Sequence, residues 1–176
     1  MVERARLARR EFLLRTARAA GIAGPALGLL EGRVTTLAKS EATDLEILYA
    51  SLTLEHHAIA LYEAGLKRDL FPAGLRRYAV EFRGDHLGHR DTQIAIAEER
   101  AGRPPAALQS YDFGALASGD HLLREAMRIE LAAQDAYRAL ISSIRSQDYM
   151  LAAAFVLVDE VRHLTVWQRV LGIKLY

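Results

Sequence analysis

The chain has 176 residues, about half of them apolar and a quarter charged, with a net charge of +1, the make-up of one globular domain with a full core. It has no cysteine, which excludes disulfides, thiolate zinc sites, iron–sulfur clusters and thiol catalysis, and no uncharged apolar stretch long enough to span a bilayer. The charge is uneven, +5 over residues 1–39 and −4 over 40–176, so the remainder has no basic stripe suited to a phosphate backbone and nucleic acid is not an expected partner.

Residues 1–39 read as a leader or anchor, separate from a folded domain over 40–176. Arg4, Arg6, Arg9 and Arg10 open it, Phe12, Leu13 and Leu14 follow, and Ala19 to Leu30 is weakly apolar. Gly21, Gly24, Pro25 and Gly28 make that stretch a poor core helix. A positive head before an apolar stretch is the layout of an export signal. Arg9-Arg10-Glu11-Phe12-Leu13 resembles the twin-arginine signal of bacterial export, which carries proteins already folded, often with metal inserted. The resemblance implies a periplasmic or cell-surface location, with a membrane anchor if the segment is not cleaved. The other reading is an amphipathic helix packed on the bundle or on a partner.

Four helices are predicted next, and an all-α fold, because Ala, Leu, Arg and Glu dominate and β-branched residues never alternate. The first is predicted from Thr43, with Glu46 completing a capping box, to about Leu66. Leu45, Leu48, Leu52, Glu55, Ile59 and Tyr62 share one of its faces. The second is predicted from near Pro72, a residue suited to the first turn, to near Gly102. Gly84 and Gly88 inside it each cost about 1 kcal/mol against Ala, which suggests close approach of a helix or ligand. Arg103 to Ser118 has proline, glycine and aromatics but no helical period. So long a connection needs a reason, and a crossover running the length of a bundle supplies one. The third helix follows the Ser118-Gly119-Asp120 cap to about Ile144, and the fourth runs from near Asp148 to Gly172, a C-cap. Short turns within each pair make antiparallel hairpins, and the long crossover joins the two hairpins.

The two hairpins repeat each other. Glu55 and Tyr62 in the first helix match Glu130 and Tyr137 in the third, each pair seven residues apart and on one face. His86 and His89 in the second match Glu160 and His163 in the fourth, each pair at i, i+3. Glu55 precedes His86 by 31 residues and Glu130 precedes Glu160 by 30. Facing helices that each supply a carboxylate or a carboxylate-x-x-His pair can surround two metal ions, and imidazole with carboxylate suits first-row transition metals. Glu55, His86, His89, Glu130, Glu160 and His163 are the candidate metal ligands. His56 and His57 point away from Glu55 and read as surface or interface residues, and His121 as solvated. Tyr62 and Tyr137 read as hydrogen-bond donors to the carboxylates, and Trp167 and Tyr149 as core.

In TLEHHAIALYEAGL, GDHLGHRD and DEVRHL the chain resembles the ferritin-like superfamily, and in particular its exported bacterial members with a twin-arginine start. The resemblance covers residues 43–172. It implies a ferritin-like antiparallel four-helix bundle with one long crossover. It also implies a di-iron centre, or one of another transition metal such as manganese, zinc or copper, with oxidase or peroxide-scavenging activity; some members of the superfamily have lost the metal. The departure is His86, where a Glu is expected. Three carboxylates against two divalent ions leave a buried +1, a costly arrangement, so Asp85 or Glu81 assists, or the site holds one ion, or none. The alternative is a metal-free structural or interaction protein on the same bundle, its Glu/His cluster a hydrogen-bonded remnant. A homodimer is the simplest assembly expected.

Overall fold

The computed structural model describes residues 41–114 and 116–173; the predicted leader lies outside them. Four helices run α1 Glu41–Lys67, α2 Arg76–Glu99, α3 Gly119–Ile141 and α4 Gln147–Val170, and no strand occurs among the described residues. The topology is the expected one: α1 packs on α2 and α3 on α4 as hairpins, and the pairs meet through α1–α3 and α2–α4.

Two helix starts differ from expectation. The chain is already helical at Glu41, so Thr43 lies inside α1. Asp44, one residue on, is buried and accepts from the Arg145 and Ser146 backbone N–H groups at 2.9 Å each, which ties the start of α1 to the α3–α4 turn. The second helix begins at Arg76 and not at Pro72, whose carbonyl instead accepts from Leu75 and Arg76 in a turn. Ser118 caps α3, its hydroxyl accepting from the His121 N–H, and Gly172 closes α4 at φ +68°, a left-handed position suited to glycine.

The crossover does run the length of the bundle. It leaves beside the start of α1, where Gly102 abuts Tyr49 and Leu45, and arrives beside the end of α1, where Gly119 abuts Leu70. Between them the Pro105 carbonyl lies 3.2 Å from His56 Nε2, and Tyr111 and Phe113 meet the His57 ring edge-on. His56 and His57 are therefore buried under the crossover, not on the surface. With the bundle on one side and the crossover on the other, α1 from Ser51 to Tyr62 is covered almost all round.

Among the described residues Gly84 and Gly88 do not mediate a close approach; a Cβ at either would meet none of them within 4 Å. The close approach is at Gly65, where a Cβ would come within 2.5 Å of Leu122 and 2.6 Å of Phe71. The core falls into two apolar clusters. One contains Tyr62, Phe82, Leu122, Ile129 and Trp167, and the other Leu48, Tyr137, Leu140, Tyr149 and Val156. The candidate ligands lie between them. Among the described residues no helix is long and apolar enough to cross a membrane.

Candidate metal centre

All six sequence-predicted ligands converge. Glu55 on α1, His86 and His89 on α2, Glu130 on α3, and Glu160 and His163 on α4 are all buried, four of them with no exposed surface at all. Their donor atoms form two overlapping sets, Glu55–His86–His89–Glu160 and His86–Glu130–Glu160–His163, within each of which the atoms lie within 4.8 Å of one another. His86 and Glu160, the two residues at matching places in the repeat, belong to both sets.

A local pseudo-twofold relation governs what surrounds them. Tyr137 donates to Glu55 and Tyr62 donates to Glu130, each across the bundle to the other hairpin's carboxylate. Gln93 Nε2 donates to the Tyr137 hydroxyl at 2.6 Å, and at the matching place Trp167 Nε1 donates to the Tyr62 hydroxyl at 2.7 Å. The His89 Nε2 lies 3.2 Å from Asp159 Oδ2 and the His163 Nε2 lies 3.0 Å from Asp85 Oδ2. A carboxylate only accepts, so each Nε2 carries a proton, and in the neutral ring that a metal would take each Nδ1 presents a lone pair. Arg162 bridges Glu81 and Asp85 at the rim.

The sequence reading missed Asp159, and Asp85, expected to assist the site, stands beside His163 and outside the two inward donor sets. The signal was present: an aspartate stands immediately before each i, i+3 pair, four residues ahead of each distal histidine. Gln93 and Trp167, each four residues after that histidine, complete the repeat. Tyr62 and Tyr137 do donate to carboxylates, and Trp167 and Tyr149 are core, as expected. His121 is half-exposed beside Glu125.

The inward atoms fit a metal. The Nδ1 atoms of His89 and His163, Oε2 of Glu130 and both oxygens of Glu160 are buried and have no hydrogen-bond partner among the described residues. Such groups are costly to bury unpaired, and imidazole nitrogen with carboxylate oxygen is a donor set for a transition metal. Charge fits too. Asp85 and Asp159 raise the carboxylates around the centre from three to five, against +4 for two divalent ions, which removes the deficit expected from His86.

The protonation pattern follows from crowding. Burial alone would lower the His86 pKa, but the Glu160 and Glu130 charges and hydrogen bonds to Glu130 and Glu55 raise it well above its ordinary value. Its Nδ1 is 2.9 Å from Glu55 Oε2 and its Nε2 3.4 Å from Glu130 Oε1. Burial pushes Glu55 up, yet His86 and His89 bring it to about 2, and Glu130 is likewise held well below the usual range by His86 and His163. Glu160 goes the other way, raised by burial and by the Glu130 and Glu55 charges, which outweigh His86. Without metal, the carboxylates thus favour the imidazolium form of His86, and burial favours the protonated form of Glu160.

Residues 43–173 match the ferritin-like domain family. The crystal structure of a conserved hypothetical protein from Mycobacterium tuberculosis superimposes with a TM-score of 0.69 at 26% identity, over 74% of this chain and 98% of that one. No curated protein matches the sequence.

Proposed function

The chain belongs to the ferritin-like domain family, and on that premise we propose that it holds a pair of transition-metal ions, iron or a related metal, between its helices and acts as an oxidase or a peroxide scavenger. The observation that carries this reading is the pairing of His89 with Asp159 and His163 with Asp85, which turns each Nδ1 inward, 3.3 Å from Glu160 Oε1 at His89 and 3.4 Å from Glu130 Oε2 at His163, with no hydrogen bond formed. Outer carboxylates of this kind set the tautomer and strengthen a ligating histidine. Glu55 and His89 would hold one ion, Glu130 and His163 the other, with Glu160 and His86 reaching both. A bound redox metal supplies one-electron chemistry toward small oxygen species. The chain's own residues orient the donors, exclude water by burial, and hold a tyrosine hydroxyl as donor to Oε1 of each of Glu55 and Glu130.

A second reading rests on His86. Its ring bridges Glu55 and Glu130, so an imidazolium can neutralise the cluster without metal and leave a structural bundle. Elemental analysis of protein purified without chelator, beside an E160A/H163A variant, separates the two. Near-stoichiometric metal that vanishes in the variant is the expected result. Absence of metal after anaerobic iron loading would overturn the metal reading in favour of the second. We also propose that the protein acts outside the cytoplasm, a reading supported by the Arg9-Arg10-Glu11-Phe12-Leu13 segment. Cell fractionation of the wild type and an R9K/R10K variant tests it, with retention of the variant in the cytoplasm as the expected result.

A further inference from the structure

One hydrogen bond from the centre lies a cavity of about 20 Å³, walled by Leu48, Ile96, Leu140, Val156 and Ala153. Ser51, Gln93 and Tyr137 complete its inner lining. Those polar groups satisfy one another. Ser51 donates to Gln93 Oε1 at 2.7 Å, Gln93 donates to Tyr137 at 2.6 Å, and Tyr137 donates to Glu55. A buried water usually makes about three hydrogen bonds, and little here is free to provide them. Cavities lined by aliphatic side chains stay dry and take apolar guests, and this one has room for a single guest of about one or two heavy atoms.

Thr92, which is exposed, and Ala152, which is half-buried, also line the cavity, in the seam between α2 and α4, the most sparsely packed of the helix interfaces. The matching region on the other side of the pseudo-twofold is filled. There Trp167 replaces Gln93 and donates to Tyr62, with Phe82 at 5.3 Å and Phe71 at 6.0 Å from the indole, centroid to centroid. Two halves with equivalent ligands thus differ in what backs them, a void behind Tyr137 and aromatic rings behind Tyr62.

We propose that this cavity is a binding site for a small, uncharged, weakly polar molecule of the size of dioxygen, and that such a molecule approaches the centre from the Glu55 half through the α2–α4 seam. Guest binding stands on the cavity alone; its role in delivery rests on the metal reading above.

Xenon is an apolar probe of suitable size. Crystals of the full chain under xenon pressure, metal-loaded and metal-stripped, should show a bound atom among Ile96, Leu140 and Val156 and none beside Trp167. Ala153→Leu should abolish the peak by filling the space, and Ile96→Ala, which enlarges it, should raise its occupancy. In solution, dioxygen should enhance relaxation of the Ile96 and Val156 methyl groups more than that of methyls packed on Trp167. No xenon at this position in the wild type, or a peak unchanged in both variants, would overturn the proposal. Xenon bound in a protein that takes up no metal would keep the guest site and remove the delivery role.

Discussion

The Nε2 of His89 on α2 sits 3.2 Å from the Asp159 carboxylate on α4, so a residue that touches no candidate metal position decides which ring nitrogen can bind one. Removing such a partner typically lowers metal affinity 10- to 100-fold. Asp159→Ala should therefore weaken metal binding by about that factor while the bundle stays folded. Competition with a coloured chelator measures it, and circular dichroism monitors the fold. Unchanged affinity would mean that His89 is not a ligand.

Metal loading should release protons. In the metal-free centre the surrounding carboxylates favour a proton on His86, and burial with the Glu130 and Glu55 charges favours one on Glu160. Metal requires neutral imidazole and ionised carboxylate. Filling the centre should therefore release protons, and apparent affinity should rise with pH. Titration with iron(II) or zinc in weakly buffered, dye-containing solution reads the release directly. Binding with no proton release would place the ion elsewhere.

Acid should weaken the fold through His57. Its ring is buried against Tyr111 and Phe113, and its Nε2 has no hydrogen-bond partner among the described residues. Burial, with the nearby Arg128 charge, moves its pKa down from 6.5 to about 4, against a smaller opposing effect of Glu125. A folded-state pKa below the unfolded one means that the unfolded chain takes up the proton more readily. The His57 contribution is thus complete above about pH 6.5 and lost as pH falls toward 4, by up to about 3 kcal/mol. Urea unfolding across that range should show His57→Phe losing less stability than the wild type. Parallel curves would show that His57 is not the acid-sensitive group.

Three glycine substitutions should separate by sign. Gly84→Ala and Gly88→Ala add a methyl group into open space on α2 and should each raise stability by about 0.5–1 kcal/mol. Gly65→Ala drives a Cβ into Leu122 and Phe71 and should lower it by about 1–3 kcal/mol. Thermal melts of the three variants test this. Destabilisation at Gly84 or Gly88 would mean that a partner covers that face.

The sequence alone carried the all-α class, the four helices, the crossover and all six candidate ligands, because each depends on local periodicity or on a repeat between hairpins. Helix period places Glu55 and Tyr62 on one face whatever the rest of the chain does, and a repeat of about 30 residues between Glu and the next pair survives without knowledge of the packing. Only the tertiary structure decided the relations that cross helices. Tyr62 serves Glu130, not the Glu55 of its own helix, and Asp85 and Asp159 exchange histidines between α2 and α4. His56 and His57, outward-facing by helical period, are buried because a segment some fifty residues later in the chain lies over them. The cavity beside Tyr137 and the filled space beside Tyr62 also lay beyond the sequence. Both depend on how side chains from different helices fill the gap between two backbones, and neither periodicity nor spacing encodes that volume.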